Sequence, residues 1–314
     1  MVSRRNLRVG IITMPHEGGT RKNESHIMAP YLTWQILRGI QPVIIPYDTK
    51  RPEWYFERVD GIVLPGGGAK ANIKLFSTIW TFIEHSINLW KNKGRHFPIW
   101  GTCLGFEIIL MLLGGIYPLK KYDAKNSKFP LKWTKATKES RMWSGPQMTA
   151  DYLKYISTNP SALNNHSWGI SPQMFRGNKY LSKLFIVTST SLDDQGAEFV
   201  ESFEGRDGLP IYGVQWHPER QPDEMGPLLD FWKTEISNVA RTRTLKSLGK
   251  TYDISVRKGK CTQYMEHSYI NCVFIPDGAD YGGSLDEKDV PLFIKELLGD
   301  WAKKFNEAIN DITT

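Results

Sequence analysis

Apolar and polar positions along the first hundred residues switch between two periods. Leu7 to Thr13 (LRVGIIT), Pro42 to Tyr47 (PVIIPY), Asp60 to Leu64 (DGIVL) and Phe97 to Thr102 (FPIWGT) are short apolar runs that read as buried strands. Between them the spacing is helical. Ile27, Tyr31, Trp34 and Leu37 predict a helix from Ile27 to a stop at Gly39. Ile73, Phe76, Trp80, Ile83, Ile87 and Trp90 predict a long amphipathic helix, and Leu104 to Leu113 a buried one. Strands and helices alternating at these lengths imply an α/β chain with an open, mostly parallel sheet covered on both faces.

The second half is richer in strands. Leu184 to Ser189, Ala197 to Phe203 and Pro210 to Trp216 read as strands, the last two as a pair, and Met225 to Ala240 as a helix. No linker rich in Pro, Gly or Ser interrupts the chain, so residues 1–244 are expected to form one catalytic domain. Residues 245–314 are expected to be an extension packing on it. That segment holds a strand-like run at Tyr269 to Ile275, a Gly-rich turn at Asp277 to Gly283 and a final helix from Val290 to Ile309.

The chain has 314 residues, with 40% hydrophobic and 23% charged, which excludes a wholly disordered or fibrous protein. Its 40 Lys and Arg against 33 Asp and Glu leave a net charge of +7. Residues 1–244 carry +9 and residues 245–314 carry −2, the latter from 9 basic and 11 acidic side chains. A basic body suits an acidic partner. No zinc-finger spacing or RNA-binding aromatic motif accompanies it, so nucleic acid is not expected. The longest apolar run, Ile108 to Leu119, contains two glycines and is too short to cross a bilayer, so no membrane partner is expected. Three cysteines, Cys103, Cys261 and Cys272, do not make a disulfide framework. At most Cys261 and Cys272 would pair, and both being free is the reading favoured.

One segment stands out. Gly101-Thr-Cys103-Leu-Gly105 falls at a predicted strand-to-helix turn, above the carboxyl edge of the sheet. Glycines two before and two after let such a turn close without Cβ clashes, which is the logic of a nucleophile elbow with Cys in place of Ser. The helix starting at Leu104 would aim its positive end at the sulfur, favouring thiolate, and the Leu104 N–H at a developing oxyanion. A small buried core residue is the other reading of Cys103, and the pentapeptide alone leaves both open. The string Tyr212-Gly-Val-Gln-Trp-His217-Pro-Glu219 supplies what a thiol nucleophile needs. His217 ends a predicted strand and would be the base, and Glu219 would orient it from the same side of an extended segment.

Together the strings FPIWGTCLGFE (Phe97 to Glu107), LPGGG (Leu64 to Gly68), NNHSWGIS (Asn164 to Ser171) and YGVQWHPE (Tyr212 to Glu219) resemble the gamma-glutamyl hydrolases. Those enzymes form part of the class I glutamine amidotransferase-like superfamily. The resemblance runs from Leu7 to Ala240 and is poor over Lys120 to Ser161 and after residue 244. It implies a three-layer α/β/α fold of flavodoxin-like type. It implies a cysteine hydrolase that cleaves folyl- or related poly-γ-glutamates through a thioester on Cys103. His217 would be general base and acid, with Glu219 orienting it. Backbone N–H groups of Leu104 and Gly67 would form the oxyanion hole. No metal and no organic cofactor is implied, and a homodimer is common among such enzymes. For His166 both a substrate contact and a hydrogen-bonded loop histidine stay open. Glu107 reads as structural.

The stretch from Lys120 to Arg141 carries eight basic and two acidic residues. It reads first as a solvated, poorly ordered loop. The alternative is a basic rim that attracts a polycarboxylate chain. Rival functions are a hydrolase of small γ-glutamyl amides, a non-catalytic γ-glutamyl-binding protein, and a glutaminase subunit. The resembling family is lysosomal, vacuolar or extracellular. This sequence has no export signal before its first core strand, so cytoplasmic residence is expected. Asn23-Glu-Ser25 and Asn165-His-Ser167 are glycosylation triplets of the kind that arise by chance.

Overall fold

The computed structural model describes residues 7–16, 24–68, 72–115, 119–246, 256–257 and 272–276. In chain order the first strands are β1 (Leu7–Ile12), β2 (Met14–Pro15), β3 (Glu24–Met28), β4 (Ile40–Ile45), β5 (Gly61–Leu64), β6 (Ile99–Thr102) and β7 (Lys120–Phe129). They are followed by β8 (Lys132–Trp133), β9 (Ala162–Gly169), β10 (Phe185–Leu192), β11 (Glu198–Gly205), β12 (Ile211–Val214), β13 (Val256–Arg257) and β14 (Cys272–Pro276). The helices that cover the main sheet are α1 (Ala29–Leu37), α2 (Glu53–Phe56), α3 (Ile73–Lys93) and α4 (Leu104–Gly114). Later come α5 (Arg141–Ser144), α6 (Ala150–Thr158), α7 (Pro172–Gly177), α8 (Lys179–Leu184) and α9 (Gly226–Thr242).

The main sheet runs β4-β1-β5-β6-β12-β11-β10-β8. The first five strands are parallel and the last three antiparallel. The parallel part is the doubly wound order in which ligands sit at the carboxyl ends of the strands. Alternating strand residues face two cores. Ile62, Leu64 and Ile99 pack under α3 and α4 with Phe82 and Phe106. Val63, Trp100 and Val214 pack on the other side with Trp34 of α1 and Trp232 of α9. This is the expected α/β/α arrangement, and it follows from the two-residue period of a strand buried on both faces.

Two local readings differ from the expectation. The first helix begins at Ala29 rather than Ile27, and Ile27 lies in β3. Pro30 is the reason: its missing N–H and fixed φ suit only the first helical turn, so two earlier helical residues cannot precede it comfortably. The lysine-rich stretch is not a loop. Ten of its residues form β7, paired antiparallel with β9, and Lys135–Glu139 form a 3-10 turn. Strand β14 pairs with β3 over Cys272↔Met28 to Pro276↔Glu24, so part of the C-terminal segment adds to a small sheet with β2 and β13. The predicted final helix, the turn at Asp277 to Gly283, Cys261 and Asn23 lie outside the described residues. No helix among the described residues is long and apolar enough to cross a membrane.

Candidate active site

Cys103 joins β6 to α4 with φ 49° and ψ −107°. A β-carbon is strained at positive φ, at a cost of about 1–3 kcal/mol. The surroundings hold it there. The Cys103 N–H donates to Val214 O at 2.9 Å, tying the turn to β12, and the Cys103 carbonyl accepts from the Glu107 N–H at 2.9 Å, starting the helix. The flanking glycines are required by close approach. A Cβ on Gly105 would lie 2.1 Å from Leu64 O, and one on Gly101 would lie 2.9 Å from the Gly105 carbonyl carbon. The helix therefore starts in backbone contact with the neighbouring strand, and the thiol stands at the carboxyl ends of the parallel strands. It is buried there, at 5% exposure, rather than open to solvent.

His217 follows β12, and its N–H donates to Leu163 O of β9 at 2.9 Å. Its Nδ1 lies 2.8 Å from Glu219 Oε1, and the two residues are 2% and 3% exposed. A carboxylate only accepts, so Nδ1 carries the proton and Nε2 is left as the basic nitrogen. Glu219 reaches back because Pro218–Arg220 is a single 3-10 turn, not the extended segment expected from sequence. Gly66 brings the parts together. A Cβ there would lie 2.7 Å from His217 Cε1, 2.9 Å from Tyr31 Oη and 3.1 Å from Cys103 Cβ. Three groups from three distant parts of the chain thus converge on one glycine, and only the absence of a side chain lets them.

The glycine loop after β5 also faces the helix start. A Cβ on Gly67 would lie 3.7 Å from Leu104 Cδ2, so the glycine loop runs against the side chain of the residue that starts the helix. The Leu104 N–H is directed at the Cys103 sulfur. Helix polarity does not decide the resting state of the thiol. Burial first, then the charges of Glu107 and Glu219, push Cys103 well above the ordinary thiol range, against the pull of the Leu104 N–H and the Gln215 side chain. A thiol raised in this way becomes a nucleophile by giving its proton to a base, and the imidazole of His217 is the neighbour across Gly66.

Two neighbours were not singled out for this site by sequence reasoning. Gln215 Nε2 donates to Glu107 Oε1 at 3.1 Å inside the protein, and the same amide reaches Cys103. Its position two residues before His217 in the YGVQWHPE string was the available signal. Tyr31 comes from α1 and carried no signal beyond its place in the helical period. Glu107 is buried, which raises its carboxyl to about 8.

His166 on β9 is placed within electrostatic reach of His217, and both its ring nitrogens face protein oxygens. Nδ1 is 2.8 Å from Trp168 O and Nε2 is 3.0 Å from Asn164 Oδ1. Burial chiefly, with His217 adding to it, lowers it to about 3, so it is neutral and its single N–H donates to one of these two acceptors. Among the described residues no group of three or more His, Cys, Asp or Glu is arranged to hold a metal ion. The chemistry available is that of a buried thiol, an imidazole oriented by a carboxylate, and the Leu104 N–H at the sulfur. Such a set suits acyl transfer.

Comparison with known proteins points the same way. The family described as glutamine amidotransferase class-I matches residues 34–234. Gamma-glutamyl hydrolase B of Dictyostelium discoideum is 31% identical, over 68% of this chain and 62% of that protein. Gamma-glutamyl hydrolase of Mus musculus is 34% identical, over 62% of this chain and 61% of that protein. The human gamma-glutamyl hydrolase is 32% identical, over 69% and 68%. The chain thus spans just over three fifths of the length of the Dictyostelium and mouse proteins. A solved structure from Thermoplasma acidophilum, provisionally assigned to GMP synthase, shares the fold. It aligns with TM-score 0.50 and 17% identity, over 76% of this chain and 96% of that one.

Proposed function

Because this chain belongs to the class-I glutamine amidotransferase family, in its gamma-glutamyl hydrolase branch, we propose that it hydrolyses γ-glutamyl bonds of folyl- or related poly-γ-glutamates through a thioester on Cys103. The observation that carries this reading is the convergence at Gly66 of Cys103, on its strained elbow, with His217 held by Glu219.

His217 Nε2 takes the thiol proton as Sγ attacks the γ-amide carbonyl. The carbonyl oxygen becomes an oxyanion between the N–H groups of Leu104 and Gly67. His217 returns the proton to the leaving amine, the C–N bond breaks and the acyl group stays on sulfur. Water, deprotonated by the same imidazole, then attacks the thioester, releasing the carboxylate and restoring the thiol. The role of Glu219 is to keep the Nδ1–H tautomer and to stabilise the imidazolium.

A further feature supports a polyanionic substrate. Lys120, Lys121, Lys125 and Lys128 are exposed on β7, which pairs with the strand whose Leu163 holds His217. Lys128 is partly offset by Glu224 at 3.5 Å. The direct test is mass spectrometry of products from pteroyl-penta-γ-glutamate. Shortened folates and released glutamate or short γ-glutamyl peptides are expected from the wild type, and none from Cys103→Ala. Ammonia from free glutamine, with the pentaglutamate untouched, would move the function to a glutaminase. Cytoplasmic residence rests on the sparse cysteines alone. Glycosidase-sensitive protein in lysosomal or medium fractions would refute it.

A further inference from the structure

In an antiparallel pair every second residue points its N–H and C=O away from the partner strand. Leu163 of β9 is such a residue. It lies opposite Lys128 of β7, and both of its main-chain groups meet the segment that carries the catalytic pair. Its carbonyl accepts from the His217 N–H at 2.9 Å. Its N–H donates to the side-chain Oε1 of Gln221 at 3.2 Å. His217 and Gln221 bracket Glu219, and the Gln221 N–H donates to Pro218 O at 3.1 Å, closing the turn between them. A side-chain amide thus stands where a neighbouring strand would present a carbonyl. Its orientation is decided by its partners. Gln221 Nε2 donates to Glu224 Oε2. A carboxylate only accepts and a main-chain N–H only donates, so one of the two amide orientations serves both and the other serves neither. Glu224 is held in turn by Lys128 Nζ at 3.5 Å from Oε2 and by the Tyr155 hydroxyl of α6, which donates to Oε1 at 3.3 Å.

We propose that Gln221 is a positioning residue of this site, whose side chain, together with the His217 N–H, clamps the catalytic turn to β9. The proposal rests on the hydrolase reading for its catalytic meaning. A single bond through the His217 N–H would leave the turn free to pivot about Leu163. The second bond, at the far end of the turn, removes that freedom. The imidazole must meet a thiol on a different element, the elbow between β6 and α4, and a misplacement of about 1 Å costs on the order of 100-fold in rate. Gln221 acts through Leu163 and the turn, not on the reacting atoms. Glu224 sets which way the amide points, and through it Lys128 of the basic strand β7 is tied to the same turn.

The test uses variants of the full chain. Gln221→Met keeps the length of the side chain and removes both of its bonds. On pteroyl-di-γ-glutamate, kcat should fall about 10-fold or more with KM within about threefold. Gln221→Glu alone sets two carboxylates against each other and should stay as slow. Gln221→Glu combined with Glu224→Gln reverses the polarity of the pair. The carboxylate at position 221 then accepts both from the Leu163 N–H and from the amide at position 224, and kcat should return to within about threefold of the wild type. A wild-type kcat in Gln221→Met, or a double variant no faster than Gln221→Glu, overturns the proposal. If the variants fold poorly, amide hydrogen exchange of the wild type, followed by NMR, decides. The Leu163 N–H is turned away from β7, so its protection reports the bond to Gln221. It should exchange about 100-fold or more slowly than an unstructured amide, and exchange at the unstructured rate overturns the proposal. That readout needs no substrate. If the wild type cleaves no γ-glutamyl bond, the hydrolase reading falls, and the clamp is still judged by Leu163 exchange in the wild type against Gln221→Met.

Discussion

Glu107 should make this protein less stable as the pH rises. Its carboxyl is 7% exposed, and burial raises it from 4.5 to about 8, with the Gln215 amide opposing in part. Below about pH 4.5 the group is protonated in both the folded and the unfolded chain and contributes no difference. Between 4.5 and 8 the folded chain holds a proton that the unfolded chain releases. Stability then falls by about 1.4 kcal/mol per pH unit and levels off above pH 8. The full span is on the order of 5 kcal/mol before structural relaxation. Glu107→Gln is the isosteric neutral form. It keeps an acceptor for Gln215 and never ionises. The variant and the wild type should melt together near pH 4.5, and the variant should melt higher by pH 8.5. At about 2–4 °C per kcal/mol for a chain of this size, the difference should be on the order of 10 °C. Glu201, also buried and raised to about 8, falls in both proteins and cancels in the comparison. Thermal melts by circular dichroism at half-unit steps from pH 4.5 to 9 read the difference directly. A gap between variant and wild type that does not change with pH would refute the reasoning, because it would mean Glu107 ionises in the folded chain as it does in the unfolded one.

Further outcomes follow from the same geometry. His217→Asn should abolish acylation, and Glu219→Gln should be milder since an acceptor remains; equal severity in stopped-flow acylation would give Glu219 a direct chemical role. Gly105→Ala should fail to fold or melt far lower, because its Cβ would sit 2.1 Å from a backbone oxygen; a wild-type melting curve would show that the elbow is not closed against β5. Replacing Lys125 and Lys128 of β7, Lys132 of β8 and Lys135 by Gln should lower kcat/KM for a pentaglutamate, chiefly at low salt, and less for a diglutamate; equal, salt-independent losses would make these lysines a solvated surface only.

Local rules were enough for much of this protein. Apolar strands alternating with amphipathic helices specify a two-faced parallel sheet, and a glycine-flanked Cys at a strand-to-helix turn specifies an elbow, because both depend on neighbours a few residues away. His217 and Glu219 were legible for the same reason, being two residues apart. Pro30 was a local signal too, and the helix start at Ala29 obeys it. What lay beyond the sequence depends on distant partners. Lysines disfavour a strand, yet β7 forms because β9 supplies its hydrogen bonds. Tyr31 reaches Gly66 across 35 residues and Gln215 reaches Glu107 across 108, separations at which no periodicity carries information. The state of the thiol also belongs to the tertiary structure. The helix terminus favours thiolate, but packing removes the water that would solvate the charge, and desolvation outweighs the dipole.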